Sequence, residues 1–311
     1  MKWPSRKVTI RRRVQAPRDI TPTEASTWTV ESFYPKDPST SHVLILSPQT
    51  EVAPSFYHYL KYAILSYKHM SFSEENSKLL GISLELPTSK PTAEDSPFNP
   101  PIGPLAEDQV DALPHFLWQA PNSNAALYFG DKWAEFHSFL SAHLAVQETK
   151  PEVFPNEKLV SQKYPAFMEL LLELALARGY YMIYPSFIAK STSSLAKAHR
   201  DLYQLPEEFL RDASSSKATK EKEPLPPEND DESLNHGYPN TLQPIRKPLS
   251  ADSTLANFLD GFSIALPQIK SLDLLSFNGE TLSKDAYQYS TDEYARQFQT
   301  RYGNWYYVSE A

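Results

Sequence analysis

The chain's eight glycines stand at 81, 103, 130, 179, 237, 261, 279 and 303, and no two lie closer than the 18 positions between Gly261 and Gly279. This spacing removes whole function classes. The dinucleotide fingerprint GxGxxG, the phosphate-cradling GxxxxGK loop and the GxSxG nucleophile elbow each need two glycines within a few residues, for tight turns and close backbone approach. With no cysteine there is no thiolate metal site and no cysteine nucleophile, and the eight histidines form no HExxH. A net charge of -8 argues against a general nucleic-acid binder. The basic opening, Lys2 to Arg13, leads into no apolar run and is therefore no signal peptide.

Length and aromatic content are sufficient for a large core, while 27 prolines demand extended loops. RKVTIRRR (6 to 13) is predicted as a strand. Thr21 and Pro22 open a helix over 21 to 34. HVLILSP (42 to 48) and LLGISLEL (79 to 86) are apolar runs suited to buried parallel strands, and between them Phe56, Leu60, Ala63, Ile64 and Tyr67 mark one helical face. AALYF (125 to 129) is strand-like, with Asp131 the expected N-cap of DKWAEFHSFLSAHLA. PAFMELLLELALAR then reads as a buried helix stopped by Gly179 and followed by the strand YYMIYP. The alternation predicts an α/β fold with a mainly parallel sheet flanked by helices. Residues 1–211 form that domain, with 87–108 a proline-rich surface loop. Residues 212–252 are a disordered linker, and 253–311 a helical extension that docks on the core.

Three groups of residues are candidates for chemistry. Glu169 and Glu173 share a sector of the leucine-rich helix, as an exposed or ion-paired stripe or as the lining of a cleft; Glu169, near the positive helix end, is the candidate base. The segment 116–137 gathers Trp118, Gln119, Asn122, Asn124, Asp131, Trp133, Glu135 and His137. Amides, carboxylates and indoles of this kind recognise sugars, although an indole on a helical face is also what a core uses. Ser194–Lys197 is a bare SxxK without accompanying motifs, Arg11–Arg13 suits a solvated edge, and His199 in AKAHRDLY reads as structural.

The ordered blocks HVLILSPQTEVAPSFYHYLKYAIL, LLGISLELP, FLWQAPNSNAALYFGDKWAEFHSFLS, KYPAFMELLLELALARGYYMIYP and HRDLYQLPEEF resemble the fungal family 2-like glycosyltransferases, well over residues 3 to 210 and loosely over 250 to 303. The resemblance implies a GT-A type fold, a nucleotide-sugar donor, and a glycan, lipid or protein acceptor. It also implies a membrane anchor in longer relatives and a secretory-pathway location. Glu169 and Asp131 become the expected catalytic residues, and Trp118, Gln119, Asn122, Asn124 and Trp133 the substrate contacts. Relatives begin earlier, so the fold is expected to be incomplete at the N-terminus and part of the donor site missing. Where relatives read LEDDIEVSP this chain has LSPQTEVAP, leaving Glu51 as the one carboxylate for Mn²⁺ or Mg²⁺. A non-catalytic binding or scaffold protein of the same fold is the alternative.

Overall fold

The computed structural model describes residues 9–12, 19–54, 56–70, 73–92, 96–101, 115–150, 158–185, 193–199, 202–210, 247–248 and 266–303. Helix α1 (Pro22–Glu31) starts as its sequence dictates: Thr21 accepts from the Glu24 N–H, and Glu24 returns a carboxylate to the Thr21 N–H. Strands β1 (Val43–Leu46) and β2 (Thr50–Val52) follow, then α2 (Phe56–Ile64), which continues as a π-helical turn over Leu65–Met70. After the short α3 (Glu74–Ser77) come β3 (Leu79–Ser83), β4 (His115–Trp118) and β5 (Ala125–Tyr128). Helices α4 (Gly130–Thr149) and α5 (Phe167–Arg178) precede β6 (Tyr181–Pro185). The short strands β7 (Ser193–Ser194), β8 (Ala196–Ala198), β9 (Lys247–Pro248) and β10 (Leu274–Leu275) and the long α6 (Lys284–Tyr302) complete the described chain.

Six strands form one sheet in the order β1-β5-β3-β6-β4-β10. The helix-flanked α/β layer is as expected, but strand direction is mixed. The β3–β6 and β4–β10 pairs are parallel, whereas β1–β5, β5–β3 and β6–β4 are antiparallel. The apolar runs report burial on both faces, which helices impose on strands of either direction, and so carry no information about direction. HVLILSP, by contrast, forms an antiparallel edge strand, half-buried rather than enclosed.

The alternation of the strands divides the core. Phe116, Trp118, Ala126, Tyr128, Met182 and Tyr184 face α1, α4, α5 and α6, while Leu117, Leu127, Tyr181 and Ile183 face α2. Gly81 is required where β3 approaches β5, since a Cβ there would lie 2.0 Å from the Leu127 carbonyl oxygen. Gly179 ends α5 at φ 66°, and the Tyr287 hydroxyl of α6 donates to its carbonyl.

Residues 119–124 join β4 to β5 by crossing the α4/α5 face of the sheet. A buried connection must have its main-chain groups satisfied. Here tyrosines do it: Tyr184 donates to the Ala120 carbonyl at 2.8 Å, and Tyr128 both donates to the Asn122 carbonyl and accepts its N–H, at 2.6 and 3.0 Å.

The proline-rich stretch is not all surface. Among its described residues Ser89 bridges Pro97, and Phe98 is buried with its ring stacked 4.1 Å from Trp118. The predicted strand 6–13 is described only at 9–12, where the backbone is exposed and irregular. Most of the expected linker lies outside the described residues, as does the first part of the C-terminal extension, but Lys247–Pro248 pairs with Ser193–Ser194. Helix α6 buries Phe298 and Tyr302 against the core. Among the described residues no helix is long and apolar enough to cross a membrane.

Three histidines are held neutral by burial. His115, bonded through Nε2 to Tyr59, is pushed down to about 3, and His42 and His143 to about 4. Unfolding returns each imidazole to an ordinary value of 6.5, so below that pH the unfolded chain binds more protons than the folded one. Stability is expected to be full above about pH 6.5 and to fall progressively toward pH 4. Urea midpoints across that range test this; a flat profile would contradict it.

Candidate functional site

Strands β1, β3 and β6 point the same way, and outside their carboxyl ends open α/β sheets bind ligands. At this end the chain leaves β1 through Ser47–Pro48–Gln49, a turn closed by the Thr50 N–H on the Ser47 carbonyl at 3.1 Å. Ser47 N–H and Thr50 Oγ1 both donate to the Asn124 carbonyl, at 2.8 and 3.1 Å, and the two hydroxyls share a hydrogen bond of 2.8 Å. The turn is thus fastened to the start of β5.

Asn124 in turn donates through Nδ2 to Glu85 Oε1 at 3.3 Å. Asn122 donates to Glu85 Oε2 at 3.1 Å and to Ser83 Oγ at 3.0 Å, while its Oδ1 accepts the N–H groups of Asn124 and Ala125. Glu85 is buried, so two amides provide part of the hydrogen bonding its carboxylate needs away from water.

Beyond the turn, β2 pairs with β8 in a two-stranded antiparallel ladder, Glu51 opposite Lys197. The ladder brings Glu51 Oε2 to 3.0 Å from His199 Nε2 across 148 positions of sequence, and the His199 N–H is fixed on the Gln49 carbonyl. The Glu51 side chain is 51% exposed, which leaves its carboxylate open to a ligand. An imidazole held by a carboxylate is a proton-handling pair.

Of the residues singled out from sequence, the structure brings Glu51, Asn122 and Asn124 to this end. It places the others elsewhere. Asp131 is at the opposite end of the sheet, in the first turn of α4 rather than at its N-cap, which is Phe129. Lys68, delivered by the π-helical turn, binds it at 2.7 Å. Glu169 receives the N–H groups of Leu159 and Val160 at 3.0 and 2.7 Å, clamping the segment before α5, and Glu208 caps the same helix through the Ala166 N–H. Glu173, one turn on, binds Arg301 at 2.6 Å and the Tyr302 hydroxyl, and burial raises its carboxyl above the ordinary value. Trp118 and Trp133 are core, their indole N–H groups on the Ser276 and Phe33 carbonyls. Gln119 is buried, with its main-chain N–H on Leu275.

Glu85 and His199 are functional residues of this end that local sequence pattern does not mark out. Glu85 lay within a run read as strand, where a charge between Leu84 and Leu86 was the available signal. His199 was weighed alone, without its partner. A divalent cation would need several oxygen donors. Ser47, Pro48 and Gln49 carry no charge, Glu51 already binds His199, and among the described residues no three His, Asp or Glu side chains gather into a metal-holding group, so the residues present do not fit one. No family model, no curated protein and no solved structure matches the chain.

Proposed function

We propose that the chain is a glycosyltransferase-type protein that handles a sugar at the carboxyl end of its central sheet. The Glu51–His199 pair carries this reading: it couples a half-exposed carboxylate to an imidazole, one residue along β2 from the Thr50 hydroxyl, which is itself joined to the Ser47 hydroxyl and the Asn124 carbonyl. Those neutral groups suit sugar hydroxyls, which both donate and accept. With a nucleotide-sugar donor, the acceptor oxygen bonds to the anomeric carbon as its O–H bond breaks. Glu51 receives the proton, His199 steadies the carboxylate, and the nucleoside diphosphate leaves with the electron pair of the broken C–O bond. Glu51, bound to His199, is too small a donor set to hold a metal, so the proton transfer rests on these two side chains.

A second reading, a carbohydrate-binding protein of the same fold without transfer, is favoured by Asp131 and Glu169. Both are bound to Lys68 or to main-chain N–H groups, and so are occupied structurally.

Release of nucleoside diphosphate from UDP- and GDP-sugars, with glycan, lipid and protein acceptors, is the test. Glu51→Gln is expected to slow release by about 10²–10⁴-fold and to leave the melting temperature unchanged, because the side chain is half exposed. Calorimetric glycan binding by the wild type without turnover would select the second reading. Turnover that Glu51→Gln leaves intact would remove Glu51 from the chemistry.

A further inference from the structure

A second constellation lies on the surface formed by α1 and α4, away from the strand ends. Trp28 and Glu31 are one turn apart on α1 and share a side of it. The chain then turns, and the indole N–H of Trp133 holds the Phe33 carbonyl at 3.0 Å, so the residue that follows, Tyr34, is anchored from beneath by a buried side chain. His137 stands one turn beyond Trp133 on α4. Its Nε2 lies 3.3 Å from Glu31 Oε1, and its ring meets that of Tyr34 edge-on, with centroids 5.0 Å apart.

Tyr34 and Glu31 are open to solvent, and His137 partly so. Tyr34 is 59% exposed and the Glu31 side chain 58%. None is needed to fill the core, which Trp133 and Phe136 complete on the inner side of α4. A ring with an open face, a carboxylate with an oxygen to spare and an imidazole edge match one ligand chemistry well. The apolar C–H face of a pyranose lies on an aromatic ring, and its rim hydroxyls pair with a carboxylate and a ring nitrogen.

We propose that Glu31, Tyr34 and His137 form a surface site for a pyranose unit of a glycan chain, with Tyr34 as the stacking platform and Glu31 as the hydroxyl acceptor. The site stands on its own geometry and does not depend on the transfer reading. It would hold a glycan on a face remote from Glu51 and His199.

Saturation-transfer NMR with the methyl glycosides of glucose, galactose, mannose and N-acetylglucosamine tests it directly on the full chain. At least one is expected to receive saturation from the wild type, in a fraction that Tyr34→Ala removes and that Glu51→Gln, at the strand-end site, retains. Tyr34→Ala is expected to weaken that signal's affinity about tenfold, Tyr34→Phe to restore it, and Glu31→Gln to weaken it while melting temperatures stay unchanged. No transfer to any of the four glycosides would overturn the proposal, as would binding indifferent to Tyr34→Ala. Binding lost in Glu51→Gln but kept in Tyr34→Ala would place the sugar at the strand ends and likewise overturn it.

Discussion

Trp118→Ala is expected to cost about 3–5 kcal/mol, a large share of the roughly 5–15 kcal/mol that holds a domain folded. The indole has no exposed surface. It stacks on Phe98 at 4.1 Å, lies 5.1 Å from the Tyr184 ring, and donates to the Ser276 carbonyl at 2.7 Å. Truncation therefore leaves a cavity in the core layer on the α4/α5 face of the sheet, at its penultimate strand, and takes from Ser276 a donor that reaches it from β4. Denaturant midpoints and the near-ultraviolet circular dichroism of the aromatic cluster should both register the loss. The same substitution separates the two roles open to this tryptophan in the sequence: a sugar contact would lose binding and keep its midpoint, and a core residue does the reverse.

Arg178→Met is expected to destabilise by about 3–5 kcal/mol. Arg178 Nε donates to Glu135 Oε1 at 2.7 Å with side chains only 5% and 12% exposed, and Tyr180 donates to the other carboxylate oxygen at 2.7 Å. Removing the guanidinium leaves a charge enclosed between α4 and α5 with the Tyr180 hydroxyl as its donor and the partly buried Lys132 ammonium as the nearby cation. Replacing the whole group, as Glu135→Leu with Arg178→Met and Tyr180→Phe, should recover most of the loss, because the enclosed charge goes with its partners. Urea unfolding of the single and triple variants measures the difference. A triple variant no more stable than Arg178→Met would show that packing, rather than the stranded carboxylate, sets the cost.

What the sequence could say depended on how far apart the interacting residues stand. Thr21 and Pro22 announce the start of α1, and Gly179 the end of α5, because caps are built within a few positions. Leu170 to Leu176 likewise reveal a buried helix. Glu169 illustrates the limit. Its place in the first turn of α5 suggested a carboxylate favoured by the helix dipole, but its partners are main-chain N–H groups outside the helix, at 159 and 160. A side chain's own spacing does not contain them. The candidate site was illegible for the same reason on a larger scale. Asn122 and Asn124 were visible as amides, but the pairing of Glu51 with His199 comes from the β2–β8 ladder, which no local pattern encodes. Strand direction was lost because helices cover both faces of the sheet.

The placement of β10 sets a timetable for synthesis. The Leu117 and Gln119 N–H groups of β4 are accepted by Asp273 and Leu275, and the Trp118 indole by Ser276, all near the far end of the described chain. On the ribosome these donors emerge long before their acceptors, by a wait on the order of ten seconds at ordinary elongation rates. For that interval the nascent sheet presents an open edge beside its largest aromatic side chain. The newly made chain is therefore most exposed to misassociation in the interval before β10 emerges, and codon choice between β6 and β10 becomes a lever on its folding yield.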